Sequence, residues 1–525
     1  MTIHSAWSPL KEPVFRMLWL ANVFSMVGTW VHDVGAGWLM ATLAPSPLMV
    51  SLVQTAGTLP MFFLALPAGA LADIVDRRKL MIAAEAWMSL TVCFLGYITS
   101  RDAIQPSDLL ILTFLLGVGV AIATPPWQAV TPELVSKEEL APALALNSVG
   151  INISRTIGPA LGGLIIASFG IHSAFLFNGF SFITVAVVLC FWKRRVKKTS
   201  LPAEKFFSAM RLGWRFTKNS PDLKSVMLRT GAFIFPAGAM WCLLPLVVKQ
   251  NLHGDSSDYG FLLTCIGLGA VLGAAFLPRL KKNYSIDILV GASIFILSAT
   301  MSLLGAAPNY SLVCGAMFIG GAAWLTVLSS FNVTAQTVIP SWVRARAMAI
   351  YFMLVFFGGY ASGSLLWGAL ANQIGIPVTL YLASGVLIVG LALTFRHRLG
   401  GRDSLNLSPS LHWPAPTVAI DMENDDGPVL ITVEYEIDPK NFEKFKNCMH
   451  EMKLARLRDG ALHWGLFQDA EYPGRVIENF LVESWAEHLR QHDRVTEADK
   501  SVQEKAWSLH IGNSHPKVSH QLNVL

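Results

Sequence analysis

Residues 288–343 read ILVGASIFILSATMSLLGAAPNYSLVCGAMFIGGAAWLTVLSSFNVTAQTVIPSWV, 56 residues without one Asp, Glu, Lys or Arg. A bilayer's hydrocarbon core is about 30 Å thick, and about 20 apolar residues cross it as a helix. The stretch is too long for one crossing and long enough for two, and Pro308-Asn309-Tyr310 supplies the dividing turn. Ala347–Phe395 repeats the arrangement, broken at Asn372-Gln373-Ile374-Gly375-Ile376-Pro377. Leu48–Ala72 and Ser173–Trp192 are single uncharged runs of span length. Extended outward, this reading gives twelve spans, near 17–41, 48–72, 80–99, 108–130, 144–168, 173–192, 226–248, 259–279, 287–306, 310–338, 347–371 and 378–395.

Composition agrees. Of 525 residues, 53% are hydrophobic and 14% charged, whereas soluble domains carry about 25% charged residues. The 41 Gly and 27 Pro are tolerated in bilayer helices because neighbouring helices satisfy the freed backbone groups. The chain is an integral membrane protein, which excludes a soluble globular fold for its first 400 residues. The six cysteines (Cys93, Cys190, Cys242, Cys265, Cys314, Cys448) form no CxxC or Cys/His cluster. Neither a disulfide framework nor a metal site is expected, and no cofactor.

Charge orients the spans. Residues 1–420 hold 28 Lys/Arg against 16 Asp/Glu, and residues 421–525 hold 12 against 19. Of the 28, Arg101 and Lys249 fall in loops on one side, Arg155 falls within a span, and 25 fall on the side of the termini. The positive-inside rule places both termini in the cytoplasm of a multi-pass protein of the inner (plasma) membrane. Basic charge so distributed reads as topology and lipid contact, not nucleic-acid binding. The opening MTIHSAWSPLKEPVFR lacks the order of a cleavable signal, so the first span is expected to direct insertion.

The chain divides into a six-helix bundle at 1–192, a linker at 193–224, a second bundle at 225–400, a Pro/Ser/Asp-rich linker at 401–427 and a soluble domain at 428–525. Basic and aromatic residues alternate through Lys205–Phe216. That suits an amphipathic helix on the membrane face, with a solvated linker as the alternative. The halves echo each other: Gly158, Gly163 and Gly170 recur at an offset of 205 as Gly363, Gly368 and Gly375. Repeated halves around a central site suit alternating access.

Two elements carry more specific information. Gly69-Ala-Leu-Ala-Asp73-Ile-Val-Asp76-Arg77-Arg78-Lys79 resembles the signature loop of the major facilitator superfamily, Gly-x-x-x-Asp-Arg-x-Gly-Arg-Arg. Gly69, Asp73, Arg77 and Arg78 match, while Ile74 and Asp76 stand where the family has Arg and Gly. The resemblance implies a conformational latch; the plain alternative is a positive-inside loop. Arg155-Thr-Ile-Gly158-Pro159-Ala-Leu-Gly162-Gly163 resembles the Gly-Pro-x-x-Gly-Gly element of proton-coupled exporters in that superfamily, with Ser154 in place of an earlier Gly. Its small residues let helices pack closely.

The wording of the N-terminal half resembles the transmembrane secretion effector branch. It runs from Gly28-Thr-Trp30, Trp38-Leu-Met and Ser46-Pro-Leu-Met-Val50 to Leu59-Pro60, then Thr131-Pro-Glu-Leu134 and Ala145-Leu-Asn147. The resemblance covers residues 8 to about 400. It implies the major facilitator fold of two six-helix bundles and export of a small molecule, such as a siderophore or a drug-like compound.

Ionisable groups inside a bilayer are costly and mark function by default. Asp33 shares a helical face with Trp30 and Gly37, and Arg155 sits near the middle of the fifth span. We expect Asp33 to carry the coupling proton, with Arg155 as the candidate charge partner; a fixed structural ion pair, or a lumen-facing Asp33 that binds nothing, are the alternatives. Glu85, a turn or two into the third span, reads as a snorkelling or loop-pairing residue. The first, fourth, seventh and tenth spans line the cavity in the superfamily. They offer Trp30, Trp127, Gln128, Trp241, Trp324, Asn332 and Gln336, with Thr124 and Phe235 nearby. Aromatic faces with amides suit a bulky ligand, although membrane aromatics also serve as packing.

The tail reads as an α+β ferredoxin-like domain: a strand at Val429–Ile437, a helix at Pro439–Arg458, strands at Leu462–Phe467 and Val476–Trp485, then helix to about Leu509. Asn479–Trp485 with His492 resembles the closing strand and helix of the antibiotic-biosynthesis monooxygenase-like family, which implies pairing into dimers. His463, Trp464, Trp485 and His492 are available for chemistry, but the first strand lacks the Asn that oxygenase relatives use. Packing, dimer contact or ligand sensing is expected over catalysis. No GxxxxGK[ST] sequence occurs, so an ion gradient is the expected energy source. The reading is a secondary exporter working by proton antiport; a facilitative importer and a membrane sensor are the alternatives.

Overall fold

The computed structural model describes residues 7–136, 139–192, 206–307, 309–340, 342–399, 406–410, 412–414, 423, 426–512 and 514–523. The first bundle consists of α1 (Pro13–Leu43), α2 (Pro47–Ile74), α3 (Arg77–Ser100), α4 (Pro106–Leu134), α5 (Leu140–Phe169) and α6 (Ile171–Phe191). A linker helix, α7 (Phe206–Asn219), precedes the second bundle. That bundle holds α8 (Pro221–Leu246), α9 (Ser256–Asn283), α10 (Ile286–Ala306), α11 (Tyr310–Thr337), α12 (Arg344–Met353), α13 (Ser364–Ile374) and α14 (Ile376–Thr394).

Among the described residues eleven helices are long and apolar enough to cross a membrane. The twelfth crossing is α12 and α13 joined by a π-helical stretch at Leu354–Gly363. π turns arise where packing interrupts the regular hydrogen-bond ladder, and here Gly359 abuts the Ile234 side chain of α8. Leu90, Phe180, Phe191 and Leu393, between 61% and 76% exposed, form an outer surface that only hydrocarbon would cover favourably.

Contacts divide the chain into two compact units, one of residues 1–201, 228–332 and 352–398, the other of 202–227, 333–351 and 399–525. The second is built on a four-stranded antiparallel sheet of order β2-β3-β1-β4, with β1 at Val429–Glu436, β2 at His463–Gln468, β3 at Arg475–Val482 and β4 at Lys517–Leu522. The register sets Ile431 opposite both Phe480 and His520, and Tyr435 opposite Val476. Three helices, α15 (Phe442–Arg458), α16 (Trp485–Arg494) and α17 (Glu497–Trp507), complete the ferredoxin-like plan. Ile431, Val433, Tyr435, Phe445, Met449 and Phe480 form its core. Within that core Glu478, fully buried, accepts from Arg456 Nε (3.1 Å), Trp464 Nε1 (3.0 Å) and Tyr435 Oη (3.1 Å).

One face of the amphipathic helix α7 is covered by protein, while Trp214 on another face is 57% exposed. Leu212 and Phe216 are buried. The Phe216 ring meets Trp342 edge-on at 5.9 Å, and the Arg458 guanidinium lies 5.9 Å from it. Arg215 donates to the Gly460 carbonyl at 3.4 Å, and Arg494 lies over Trp342 at 4.8 Å. The second linker departs from expectation. Its Asn406–Ser410 stretch bonds along Val495–Ala498, and Trp413 donates to Gln503 at 3.0 Å.

Candidate functional site

The glycines of α5 build the seam between bundles. A Cβ at Gly158 would meet the Trp30 side chain of α1, and one at Gly162 would lie 3.1 Å from Val31 Cα. At Gly163 it would lie 2.8 Å from the Ser256 carbonyl and 3.1 Å from Ser257 Cα, both on α9 of the opposite bundle. Gly260 of α9 returns the contact against the Pro159 carbonyl. The second half repeats this design. Gly363 abuts Phe235 of α8, which stands 205 residues beyond Trp30, and Gly368 abuts Ser51 of α2, across the seam. Gly170 and Gly375 each turn the chain at φ of 84° and 86°, a region that side chains disfavour. The offset seen in sequence therefore marks equivalent structural roles.

Hydrogen bonds join the bundles at the face opposite the termini. Lys249 Nζ donates to Ala41 O (2.9 Å), Gln250 Nε2 to Pro45 O (3.2 Å), Ser46 Oγ to Asn372 Oδ1 (2.9 Å) and Thr55 Oγ1 to Ala361 O (3.0 Å).

Asp33 lies on α1 beside this seam. Its side chain is exposed within the protein, and no described residue gives it a hydrogen bond or ion pair. A Cβ at Gly37, one turn on, would lie 3.3 Å from Tyr259 Oη, and Trp38 stacks on that ring at 6.2 Å. Tyr259 of α9 is thus the neighbour across the seam. Trp30, one turn before Asp33, carries the Arg155 guanidinium 6.0 Å from its ring centre, at the outer limit of a cation–π contact. His32 faces elsewhere, 1% exposed, with its ring edge-on to Phe175 at 5.1 Å.

The other expected residues separate into groups. Trp241 and Trp324 meet at 5.3 Å, and Trp324 continues to Phe233 at 5.4 Å. At 3% exposed, Trp324 is a packing residue of the second bundle and not a cavity wall, a correction to the sequence reading. Trp127 is likewise turned inward, its indole donating to Glu85 Oε1 at 3.2 Å. Gln128 and Gln336 are exposed and Asn332 is half-buried. Glu85 is corrected too: it does not snorkel, being 3% exposed with Oε2 lacking any partner.

At the junction of α2 and α3, Arg77 pairs with Glu133 at 2.7 Å, and Arg78 caps α6 through the Leu189 and Cys190 carbonyls at 2.8 and 2.6 Å. A Cβ at Gly69 would meet nothing within 4 Å; the Asp73 side chain lies outside the described residues. Sequence reasoning missed Tyr259, although the glycines of α9 at 260, 267, 269 and 273 mark it as a close-packing helix. It also missed the ion pair of Arg229 with Asp287, whose buried guanidinium additionally donates to His397 O at 3.2 Å.

Residues 4–524 match the family described as transmembrane secretion effector. The staphyloferrin A transporter of Staphylococcus aureus (strain NCTC 8325 / PS 47) is 25% identical over 399 residues, covering 74% of this chain and 96% of the transporter. The enterobactin exporter EntS of Escherichia coli O1:K1 / APEC is 27% identical over 392 residues, covering 73% and 91%. A solved bacterial homolog of the human lysosomal transporter Spinster, inward-facing and unoccupied, superposes with a TM-score of 0.60 at 16% identity, over 74% of this chain and 97% of that one. The nucleoside transporter NupG gives 0.57 at 11% identity, over 73% and 98%. These structural likenesses concern the fold alone. Because each relative is matched nearly whole, about a quarter of this chain has no counterpart in it.

Proposed function

This chain belongs to the transmembrane secretion effector family of major facilitator transporters, and from that premise we propose that it exports a siderophore or drug-like compound by proton antiport. It is a secondary transporter of a small molecule and not an enzyme. The observation that carries the proposal is the seam: two halves joined through matched glycines, with an unpaired carboxylate, Asp33, beside the junction.

Asp33 takes up and releases the coupling proton, while Arg155, held over Trp30, supplies positive charge one turn away. A carboxylate near a mobile helix junction changes its surroundings as the junction opens, and proton affinity follows surroundings. Both termini face the cytoplasm of the plasma membrane, so the hydrogen-bonded face is the outer one and serves as the outer gate in an alternating-access cycle. Gly69, Asp73, Arg77 and Arg78 latch the cytoplasmic side. Trp30, Gln128, Trp241, Asn332 and Gln336 offer aromatic and amide contacts to substrate. The siderophore class is suggested by the named substrates of the two relatives. Two chains pair through the open sheet face of the tail, where Phe467 is 55% exposed.

The test uses proteoliposomes with a pH gradient and two probes, a fluorescent cation and a catecholate siderophore, comparing wild type with Asp33→Asn. Gradient-driven flux in the wild type and its loss in the variant are the expected results. Full proton-driven flux in Asp33→Asn would remove Asp33 from coupling. Wild-type flux insensitive to the gradient would replace antiport with facilitated diffusion.

A further inference from the structure

Four polar side chains cluster at one end of the tail's sheet. His488 and His492 stand four residues apart on α16, and their Nε2 atoms are 3.4 Å apart. The His520 ring, on β4, lies 4.7 Å from the His488 ring. His488 is 2% exposed, and Gln491 beside it on the same helix is fully buried.

We propose that His488, His492 and His520 form a binding site for a divalent cation of borderline softness, of the Zn²⁺, Co²⁺ or Ni²⁺ kind. Two nitrogens bound to one tetrahedral Zn²⁺ at about 2.0–2.1 Å stand about 3.3–3.4 Å apart, which is the separation of the helical pair. Spacing of i, i+4 puts two imidazoles on one helix face, as in metalloprotease helices. Among the described residues no three donors already converge on one point; His520, half-buried on an edge strand, completes the set by side-chain rotation.

The surroundings are compatible with a bound cation. Arg456 is the cation facing the cluster, and its charge is matched by Glu478 at 3.1 Å. Asp493 adds negative charge beside His492. Trp413 from the second linker meets the His492 ring edge-on at 5.0 Å and shields the site.

The experiment takes the full chain in detergent, carrying no polyhistidine tag and stripped with chelator, and titrates it with Co²⁺. One equivalent with the visible d–d band of tetrahedral cobalt, displaced by Zn²⁺, is expected. His492→Ala and His520→Ala should each weaken binding at least about 10–100-fold, while His463→Ala, on the opposite edge strand, leaves it unchanged. X-ray absorption on the Zn²⁺-loaded wild type, which needs no variant to fold, should count three imidazoles. No cobalt bound, wild-type affinity in either ligand variant, or fewer than three imidazoles at zinc would overturn the site.

Discussion

Gly163→Leu is expected to reduce substrate flux about 100-fold or more while the protein still inserts in the membrane. The new side chain would enter a gap where even a Cβ lies 2.8 Å from a backbone carbonyl of α9. Overpacking costs about 1–3 kcal/mol where side chains can yield, and backbone yields less. About 3 kcal/mol against the closed seam shifts a two-state population over 100-fold, and transport that must visit both states stalls. Disulfide formation between Ser46→Cys and Asn372→Cys reports the closure directly, because these side chains touch at 2.9 Å. Its yield should fall with the flux. Unchanged cross-linking and flux in Gly163→Leu would mean that α5 and α9 do not need this contact.

A second large effect is expected in the tail. Glu478→Ala removes the acceptor of three hydrogen bonds and leaves Arg456 buried beside Trp413 and Phe480 without its counter-charge. Breaking one partner of a buried pair costs about 3–5 kcal/mol. For a domain of this size each kcal/mol lowers the melting temperature by about 4–8 °C, so the tail should melt more than about 10 °C earlier. Hydrogen exchange of the β1 amides in the full chain measures it. The double replacement Glu478→Leu with Arg456→Met should regain most of the loss, since no unpaired charge remains. A loss below about 1 kcal/mol in the single variant would show that the pair contributes little.

What could be read from the sequence follows from which forces act locally. Span positions were legible because bilayer thickness fixes a length, and a water-soluble fold seldom tolerates uncharged runs of that length. The π-helical break at Leu354–Gly363 was not, because it depends on Ile234 of another helix. The repeat of Gly158, Gly163 and Gly170 was visible as an offset, but what each glycine touches was not. Span number tells which helix carries Trp324, not which face, so it was assigned to a cavity although it packs inside the second bundle. Glu85 had a signal that proximity to the helix end obscured: Met81, Ala84 and Met88 share its buried face at i, i+3, i+4 and i+7 spacing. In the tail β4 was missed because Lys-Val-Ser-His-Gln-Leu is mostly polar and is held by pairing with β1. The imidazoles of α16 and β4 are brought together only by that pairing.

The body made of residues 202–227, 333–351 and 399–525 gathers three stretches that lie far apart along the chain. Left loose, each would be a leash with its own slack, and slack is cheap because closure entropy grows only with the logarithm of length. Docking α7 by Leu212 and Phe216 turns one of these leashes into a short rod. A flexible insertion before α7 should therefore be tolerated, since it lengthens rope without freeing the rod. Truncation after residue 399 is a different injury: it bares the apolar side of α7 and leaves it adhesive.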